Sequence, residues 1–236
     1  MGEGEIDGEG ANGNIWEGTP TEHERAVRDQ VGVSEAFEFL DAVSAVLAMA
    51  IDRAAQSQAE VSKSAVRRTA ILLAAIRAFR GVRAASAVIA SGYAMEAEPF
   101  TRMLLELFVS ARAVVDDETG AEAKAWLLGD RARGIGKRVR DAMPDGAVYG
   151  ELSRATHGDP RAVARALLKT AEGEQMIEWG PAVTPQTEEQ LHNLALAARD
   201  FAVLLEQVGF ERHAELETVD RALMRLKAGW RQDGAY

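Results

Sequence analysis

His157 is the residue of this sequence best suited to acid–base chemistry. It lies in the segment YGELSRATHGDP, residues 149–160. Imidazole titrates near pH 6.5, so it can accept and release a proton under physiological conditions. Ser153 precedes it by four residues, which places both side chains on one face of a helix. In the alternative interpretation His157 only ends a helix, where Gly158 caps the turn and Pro160 prevents continuation.

Arg102 and Glu106 are the second candidate pair. On a helix their spacing of four residues brings the guanidinium and the carboxylate together. Leu105 and Val109 share that side of the helix, so we expect the ion pair to be partly buried. Such a pair can hold a ligand or position a catalytic base, or it can simply lock a helix into a bundle. If His157 packs near Glu106, the carboxylate raises the imidazole pKa and sets its tautomer.

A basic run, RARGIGKRVR at 131–140, contains no acidic residue. Together with basic residues that follow it, this run can form one positive face, which suits RNA or a nucleotide. The alternative is a solvated helix surface whose charge is balanced by Asp130 and Asp141. The residues predicted to bind RNA or a nucleotide are Arg131, Lys137, Arg138, Arg154 and Arg161.

The residue types exclude several kinds of site. The chain has no cysteine, which excludes disulfides, thiolate zinc sites and a cysteine nucleophile. Its four histidines are far apart and no HExxH spacing occurs, so we expect no metal site. A Gly-x-Ser-x-Gly elbow is also absent, and the GxG at 134–136 follows no strand. The sequence therefore predicts no bound cofactor.

The net charge of −10 is unevenly placed, because the first 20 residues contain five acidic residues and no Lys or Arg. Residues 1–30 are rich in glycine and acid and are predicted to be a disordered tail. Residues 31–230 are predicted to be one helical domain. An acidic surface generally repels nucleic acid, although a local basic patch can bind it. The charge also leaves open an acidic decoy that mimics nucleic acid.

We expect no signal peptide in this sequence. The first twenty residues lack the basic start and the apolar run of a signal peptide. No stretch of about 18 apolar residues is free of charge, so we expect no membrane partner. These features predict a cytoplasmic protein.

From about residue 34 the hydrophobic pattern is helical almost throughout. Ser34 can cap a first helix. On this helix one apolar stripe is predicted, made of Leu40, Val43, Leu47, Ala50 and Ala54. A second helix is predicted over 64–91 and ends at Gly92 in a left-handed conformation. Pro99 suits the first turn of a third helix, which is apolar on most sides and therefore expected to be central.

Two capping boxes mark further helices. Thr119 and Glu122 are predicted to open a helix over 121–142, and Thr187 with Gln190 to open another. In such a box the Thr hydroxyl and the Glu or Gln side chain each accept a hydrogen bond from an orphan backbone N–H of the first turn.

The remaining segments complete an all-α fold. Shorter helices are predicted over 147–157, 160–171 and 211–228. Residues 172–186 break the helical period, which favours a small hairpin or an ordered loop. The predicted architecture is a single helical bundle of six to eight helices.

Two stretches, 75–114 and 149–163, resemble a family of uncharacterised bacterial helical proteins. The shared pattern is a glycine-linked helix pair, then an arginine and a glutamate on the second helix, then a Leu-Ser-x-x-x-His segment. The matching positions are Gly92, Arg102, Glu106, Leu152, Ser153 and His157. That family is similar to the HEPN superfamily of helical bundles.

The resemblance implies a homodimer and, as in many HEPN members, a ribonuclease of a toxin–antitoxin or phage-defence system. It implies that the catalytic residues are Arg102, Glu106, Ser153 and His157. The sequence departs from the HEPN nuclease signature, in which four to six residues separate an arginine from the histidine. Those positions hold Gly150, Glu151 and Leu152 here.

Two functions therefore remain open. The first is a HEPN-like protein that binds or acts on RNA or a nucleotide, which predicts that His157, Glu106 and Arg102 converge in one pocket. The second is a non-enzymatic module for dimerisation or regulation, which predicts a large apolar patch on the surface of the monomer.

Overall fold

The computed structural model describes residues 33–57, 63–130, 135–142, 167–169, 175–177, 185–210, 216–217 and 221. This part of the chain forms six α-helices: α1 (Val33–Gln56), α2 (Lys63–Ala90), α3 (Glu98–Asp116), α4 (Ala121–Leu127), α5 (Ile135–Ala142) and α6 (Pro185–Gln207). A 3-10 turn, Met95–Ala97, precedes α3. The predicted all-α class is confirmed. The predicted tail at 1–30 and the predicted helix at 147–157 lie outside the described residues.

Helix α6 packs against α1, α2 and α3 and fills the middle of the bundle. Its Phe201 is fully buried and meets Phe108 of α3 edge to face, with ring centroids 6.0 Å apart. Helix α3 contacts α2, α4, α5 and α6, and none of its residues from Phe100 to Ala111 is exposed. Its predicted central position is thereby confirmed.

The apolar stripe predicted for α1 forms one wall of the core. Its five residues are all buried in the observed helix: Leu40, Val43, Leu47, Ala50 and Ala54. They recur at intervals of three or four residues, so they share one face of the helix. That face packs against α6.

The end of α2 follows the prediction closely. Gly92 has φ 86°, which an L side chain rarely adopts. The N–H of Gly92 donates to the carbonyl of Ile89 at 2.8 Å, and the N–H of Tyr93 donates to that of Val88 at 3.1 Å. These two hydrogen bonds form a Schellman motif, which satisfies the last carbonyl groups of the helix. Pro99 lies in the first turn of α3, also as predicted.

The capping box predicted at Thr119 and Glu122 is wrong. Asp117 Oδ2 accepts the Glu122 N–H at 2.7 Å, while its Oδ1 accepts the Thr119 hydroxyl at 2.6 Å and the Thr119 N–H. The Thr119 hydroxyl oxygen accepts the Ala121 N–H instead. The Thr119 hydroxyl and then the Glu122 N–H lower the pKa of Asp117 to about 2. The carboxylate competes successfully because it accepts several hydrogen bonds in its charged form.

The single helix predicted over 121–142 is also wrong, because α4 ends at Leu127 and α5 begins at Ile135. Gly129 has φ 78°, and the Asp130 N–H donates to the carbonyl of Ala125 at 2.9 Å. A glycine in this left-handed conformation ends the helix.

The second capping box is wrong for a different reason. Helix α6 begins at Pro185, so Thr187 lies inside its first turn. Proline fits this start because its missing N–H would have no partner there. Gln190 turns away from the helix terminus, and its Oε1 accepts the Thr101 hydroxyl of α3 at 2.9 Å.

A hairpin is present, but it begins before residues 172–186, where one was predicted as an option, and only its second strand lies in that range. Strand β1 (Leu167–Lys169) pairs antiparallel with β2 (Gln175–Ile177), with Leu168 opposite Met176. The helix predicted over 160–171 is therefore wrong at its end, because pairing with β2 holds residues 167–169 extended. The last predicted helix, 211–228, is described only at 216–217 and 221, which are helical, and Leu216 is buried in the core.

None of the helices in the described ranges is long and apolar enough to cross a membrane.

His192 makes the stability of the bundle depend on pH. It is buried on α6, with its ring centroid 6.3 Å from that of Phe39 on α1. Burial lowers the pKa of His192 below its ordinary value, and the carboxylate of Glu188 opposes this shift. The unfolded chain takes up a proton near pH 6.5 and the folded chain does so only at lower pH. The free energy of unfolding should therefore fall as pH drops below about 6.5 and level off below the folded pKa.

His192→Leu should flatten this pH dependence, which urea unfolding between about pH 7.5 and 5.5 would measure. Glu188→Gln is the companion variant. It removes the carboxylate that favours the protonated ring, so its stability should decline more steeply toward acid than that of the wild type. An identical pH profile for wild type and His192→Leu would show that another group is responsible.

Candidate functional site

A cavity of about 520 Å³ lies where α2, α3, α4 and α5 meet. Six of its lining residues define its chemistry: Leu73, Arg77, Met103, Glu106, Trp126 and Ile135. Leu73 and Arg77 are one turn apart on α2, and Met103 and Glu106 nearly one turn apart on α3, so each helix presents one short ridge to the cavity.

Two structural devices hold the walls of this cavity together. Arg67 of α2 donates from Nε to the carbonyl of Val114 at 3.3 Å and from Nη2 to that of Val115. A cation at the carboxyl end of a helix is favourable, so Arg67 fastens the end of α3 to α2. The second is the turn between α3 and α4, in which the Asp117 carboxylate accepts the Glu122 N–H. This turn leads into α4, which packs on both α2 and α3 and carries Trp126.

The approach of α2 to α3 depends on Gly81. A Cβ atom at Gly81 would meet the terminal methyl of Met103 and lie 3.3 Å from Leu104 Cδ2. The absent side chain therefore leaves the room that the Met103 thioether occupies beside the cavity. A larger residue at position 81 would displace the Met103 methyl, and the flexible thioether can make that movement.

The Arg102–Glu106 pair forms as the sequence predicts. Arg102 Nε donates to Glu106 Oε1 at 2.9 Å, and their side chains are 19% and 26% exposed. The pair is partly buried, because α3 is surrounded by other helices on most sides. Glu106 lines the cavity, and Ser110 donates its hydroxyl to the backbone carbonyl of Glu106 at 2.9 Å. Arg102 therefore holds the carboxylate at the cavity wall.

Two residues of the predicted basic face are described. Lys137 is exposed on α5, two residues after Ile135 in the cavity wall. Arg138 Nη1 lies 3.6 Å from Glu122 Oε2 of α4, so this guanidinium joins the two short helices. The other predicted site residues lie outside the described part of the chain: Arg131, Ser153, Arg154, His157 and Arg161. The convergence of His157 with Glu106 and Arg102 therefore stays a prediction.

Sequence reasoning did not identify Trp126 or Arg77 as functional residues. The sequence did contain a signal for Trp126, since Trp126, Leu127 and Leu128 are three large apolar residues in succession at a helix end. One helix face cannot bury all three, and Leu128 is 76% exposed. Arg77 offered no such signal, because only the packing of α4 beside α2 places it at a cavity.

Few large apolar residues are exposed in the described ranges, namely Leu73, Tyr93, Leu127 and Leu128. Leu73 and Leu127 belong to the cavity wall. The apolar assembly surface and the homodimer stay predictions. Within the same ranges, no group of three or more acidic or histidine side chains is arranged to hold a metal ion.

Comparisons of the chain with protein-family models, with curated proteins and with solved structures found no match. The chemistry of the cavity is therefore the basis for its functional assignment. Its walls combine an indole, a fixed carboxylate, a guanidinium and several apolar side chains. Such a site suits a flat ring that has N–H donors and carries a negative group.

Proposed function

We propose that this protein binds a nucleotide, either free or as a unit of RNA, in the cavity between α2, α3, α4 and α5. The observation that carries the proposal is that Trp126, Glu106 and Arg77 line one cavity of about 520 Å³. This volume lies within the range of about 300–1,000 Å³ typical of small-molecule sites.

Each of the three groups matches one part of a nucleotide. The indole of Trp126 offers a face on which a base can stack, which is worth about 1–3 kcal/mol per base. The carboxylate of Glu106 accepts hydrogen bonds from base N–H groups. The guanidinium of Arg77 is exposed on α2 and binds phosphate oxygens in a forked geometry.

Arg77 makes the cavity suitable for an anionic ligand, because its guanidinium lies in the wall. Lys137 is also exposed on α5, but it follows Ile135 by two residues and therefore projects from another side of that helix. A local cation can attract phosphate even on a chain whose net charge is −10. The proposal also agrees with the resemblance to the HEPN superfamily, which includes many ribonucleases.

The proposal predicts that AMP, GMP, CMP or UMP, or a short single-stranded RNA, binds in calorimetric titration. Trp126→Leu and Arg77→Met should each weaken binding, by about tenfold or more, because each removes an interaction worth more than 1 kcal/mol. Arg112→Met is the matched control. Arg112 is an exposed arginine of α3 that pairs with Asp116 outside the cavity, so its loss should leave affinity unchanged.

Absence of binding by every nucleotide and by the RNA would overturn the proposal. Binding that is insensitive to Trp126→Leu and Arg77→Met would place the ligand elsewhere. Cleavage is a separate step, for which His157 is the acid–base candidate of the sequence. Cleavage of total RNA by the wild type and not by His157→Ala would make the protein a ribonuclease. Binding without cleavage would make it a non-enzymatic regulator.

A further inference from the structure

We infer that the base selected by this cavity is guanine. The inference rests on the proposed function and names the ligand of the same site. Its starting point is the carboxylate of Glu106, which lines the cavity while Arg102 Nε donates to its Oε1 at 2.9 Å. Among the described lining residues, Glu106 supplies the only carboxylate.

The ion pair with Arg102 orients the Glu106 carboxylate. A carboxylate has about four acceptor positions on its two oxygens, so it can accept further N–H groups while it stays bonded to Arg102. The Ser110 hydroxyl donates to the backbone carbonyl of Glu106. A base that enters the cavity thus meets a pair of acceptor oxygens in a fixed position.

Only guanine among the four RNA bases offers two N–H donors side by side. Its N1–H and N2–H groups can donate to the two carboxylate oxygens in parallel, as a guanidinium does. Adenine presents an N–H beside the acceptor N1, and cytosine presents an N–H beside the acceptor N3. Both therefore place a lone pair against a carboxylate. Uracil has one N–H between two carbonyl oxygens, which the carboxylate repels.

The rest of the cavity favours a nucleotide over a simple organic cation. An indole with a carboxylate is a combination that also suits an ammonium group. Arg77 lines the same cavity, and its charge opposes a cation while it attracts a phosphate. The apolar side chains of Leu73 and Met103 provide no hydrogen bonds that would compete with Glu106 for the base edge.

The decisive experiment compares GMP, inosine 5′-monophosphate and AMP by calorimetric titration of the wild-type protein. Inosine keeps N1–H and lacks the N2 amino group, so it should bind about tenfold more weakly than GMP, and AMP about 100-fold more weakly. The same exchange of guanosine for inosine in a short single-stranded RNA shows whether the site takes a free nucleotide or a unit of RNA.

Glu106→Gln should weaken GMP binding by about 10–100-fold and bring the GMP-to-inosine ratio close to one, because one acceptor becomes a donor. Asp116→Asn on the same helix is the control and should keep the ratio. Thermal unfolding of Glu106→Gln shows whether it folds. If this variant does not fold, the relative affinities of the wild type for GMP, inosine 5′-monophosphate and AMP test the guanine inference on their own.

Equal affinity of the wild type for the three nucleotides, with binding still lost in Trp126→Leu, would overturn the guanine inference and leave the proposed function intact. A GMP preference that persists in a folded Glu106→Gln variant would also overturn it. Failure of all three nucleotides and of the RNA to bind would overturn both.

Discussion

Replacement of Phe201 by alanine should lower the free energy of unfolding by about 3–5 kcal/mol. Phe201 is fully buried on α6, and its ring meets Phe108 edge to face. Because α6 packs against α1, α2 and α3 together, no single helix can move in to fill the space left by the ring. The loss is a large share of the roughly 5–15 kcal/mol that stabilises a typical domain. Urea unfolding followed by circular dichroism measures it directly.

Leu128→Ala is the control for this experiment. Leu128 is 76% exposed, so its truncation should change the free energy of unfolding by no more than about 0.5 kcal/mol. A loss below about 1 kcal/mol for Phe201→Ala would mean that α6 does not occupy the middle of the bundle.

Glu106→Arg should both destabilise the protein and abolish ligand binding. It replaces an attractive pair by two guanidinium groups one turn apart, in a cavity wall that already holds Arg77. Loss of a fully buried pair costs about 3–5 kcal/mol, and this pair is partly open to solvent, so about 2 kcal/mol is expected. Urea unfolding and calorimetric titration with GMP measure the two effects separately.

The exchange of the two residues separates the structural role from the binding role. Arg102→Glu combined with Glu106→Arg restores an ion pair with the acid nearer the amino end, the better orientation on a helix. Most of the stability should return. Ligand binding should not return, because the carboxylate has moved by four residues, about 6 Å along the helix axis.

The same exchange at Arg112 and Asp116 is the control, since that pair has equal spacing and is 48% and 58% exposed. It should change neither stability nor affinity. If the exchange at positions 102 and 106 recovered full affinity, Glu106 would be a structural residue only and not a ligand for the base.

The parts of the fold that depend on local physics were predictable from the sequence. The α1 stripe, the glycine end of α2 and the proline start of α3 each follow from the geometry of one helix. The errors arose where two local signals compete. Thr119 is a good cap, but Asp117 is a stronger acceptor and takes the Glu122 N–H. Residues 167–169 have a partner strand eight residues ahead, and a helical period cannot reveal that pairing.

The candidate site was predictable only in part, for a related reason. The Arg102–Glu106 pair lies within one helix, so its spacing is enough to predict it. The meeting of Arg77, Glu106 and Trp126 involves three helices, and no pattern within a single helix encodes it. The small space at Gly81 is likewise set by the neighbouring helix, whose Met103 fills it.

The position of α6 in the chain has a consequence for biosynthesis. The helix that fills the middle of the bundle begins at residue 185, long after α1 has ended at residue 56. At roughly 5–20 residues per second, the nascent chain on the ribosome waits on the order of ten seconds between these helices. During that interval the apolar stripe of α1 lacks its partner, and the newly made amino-terminal half is the part of the protein most in need of a chaperone.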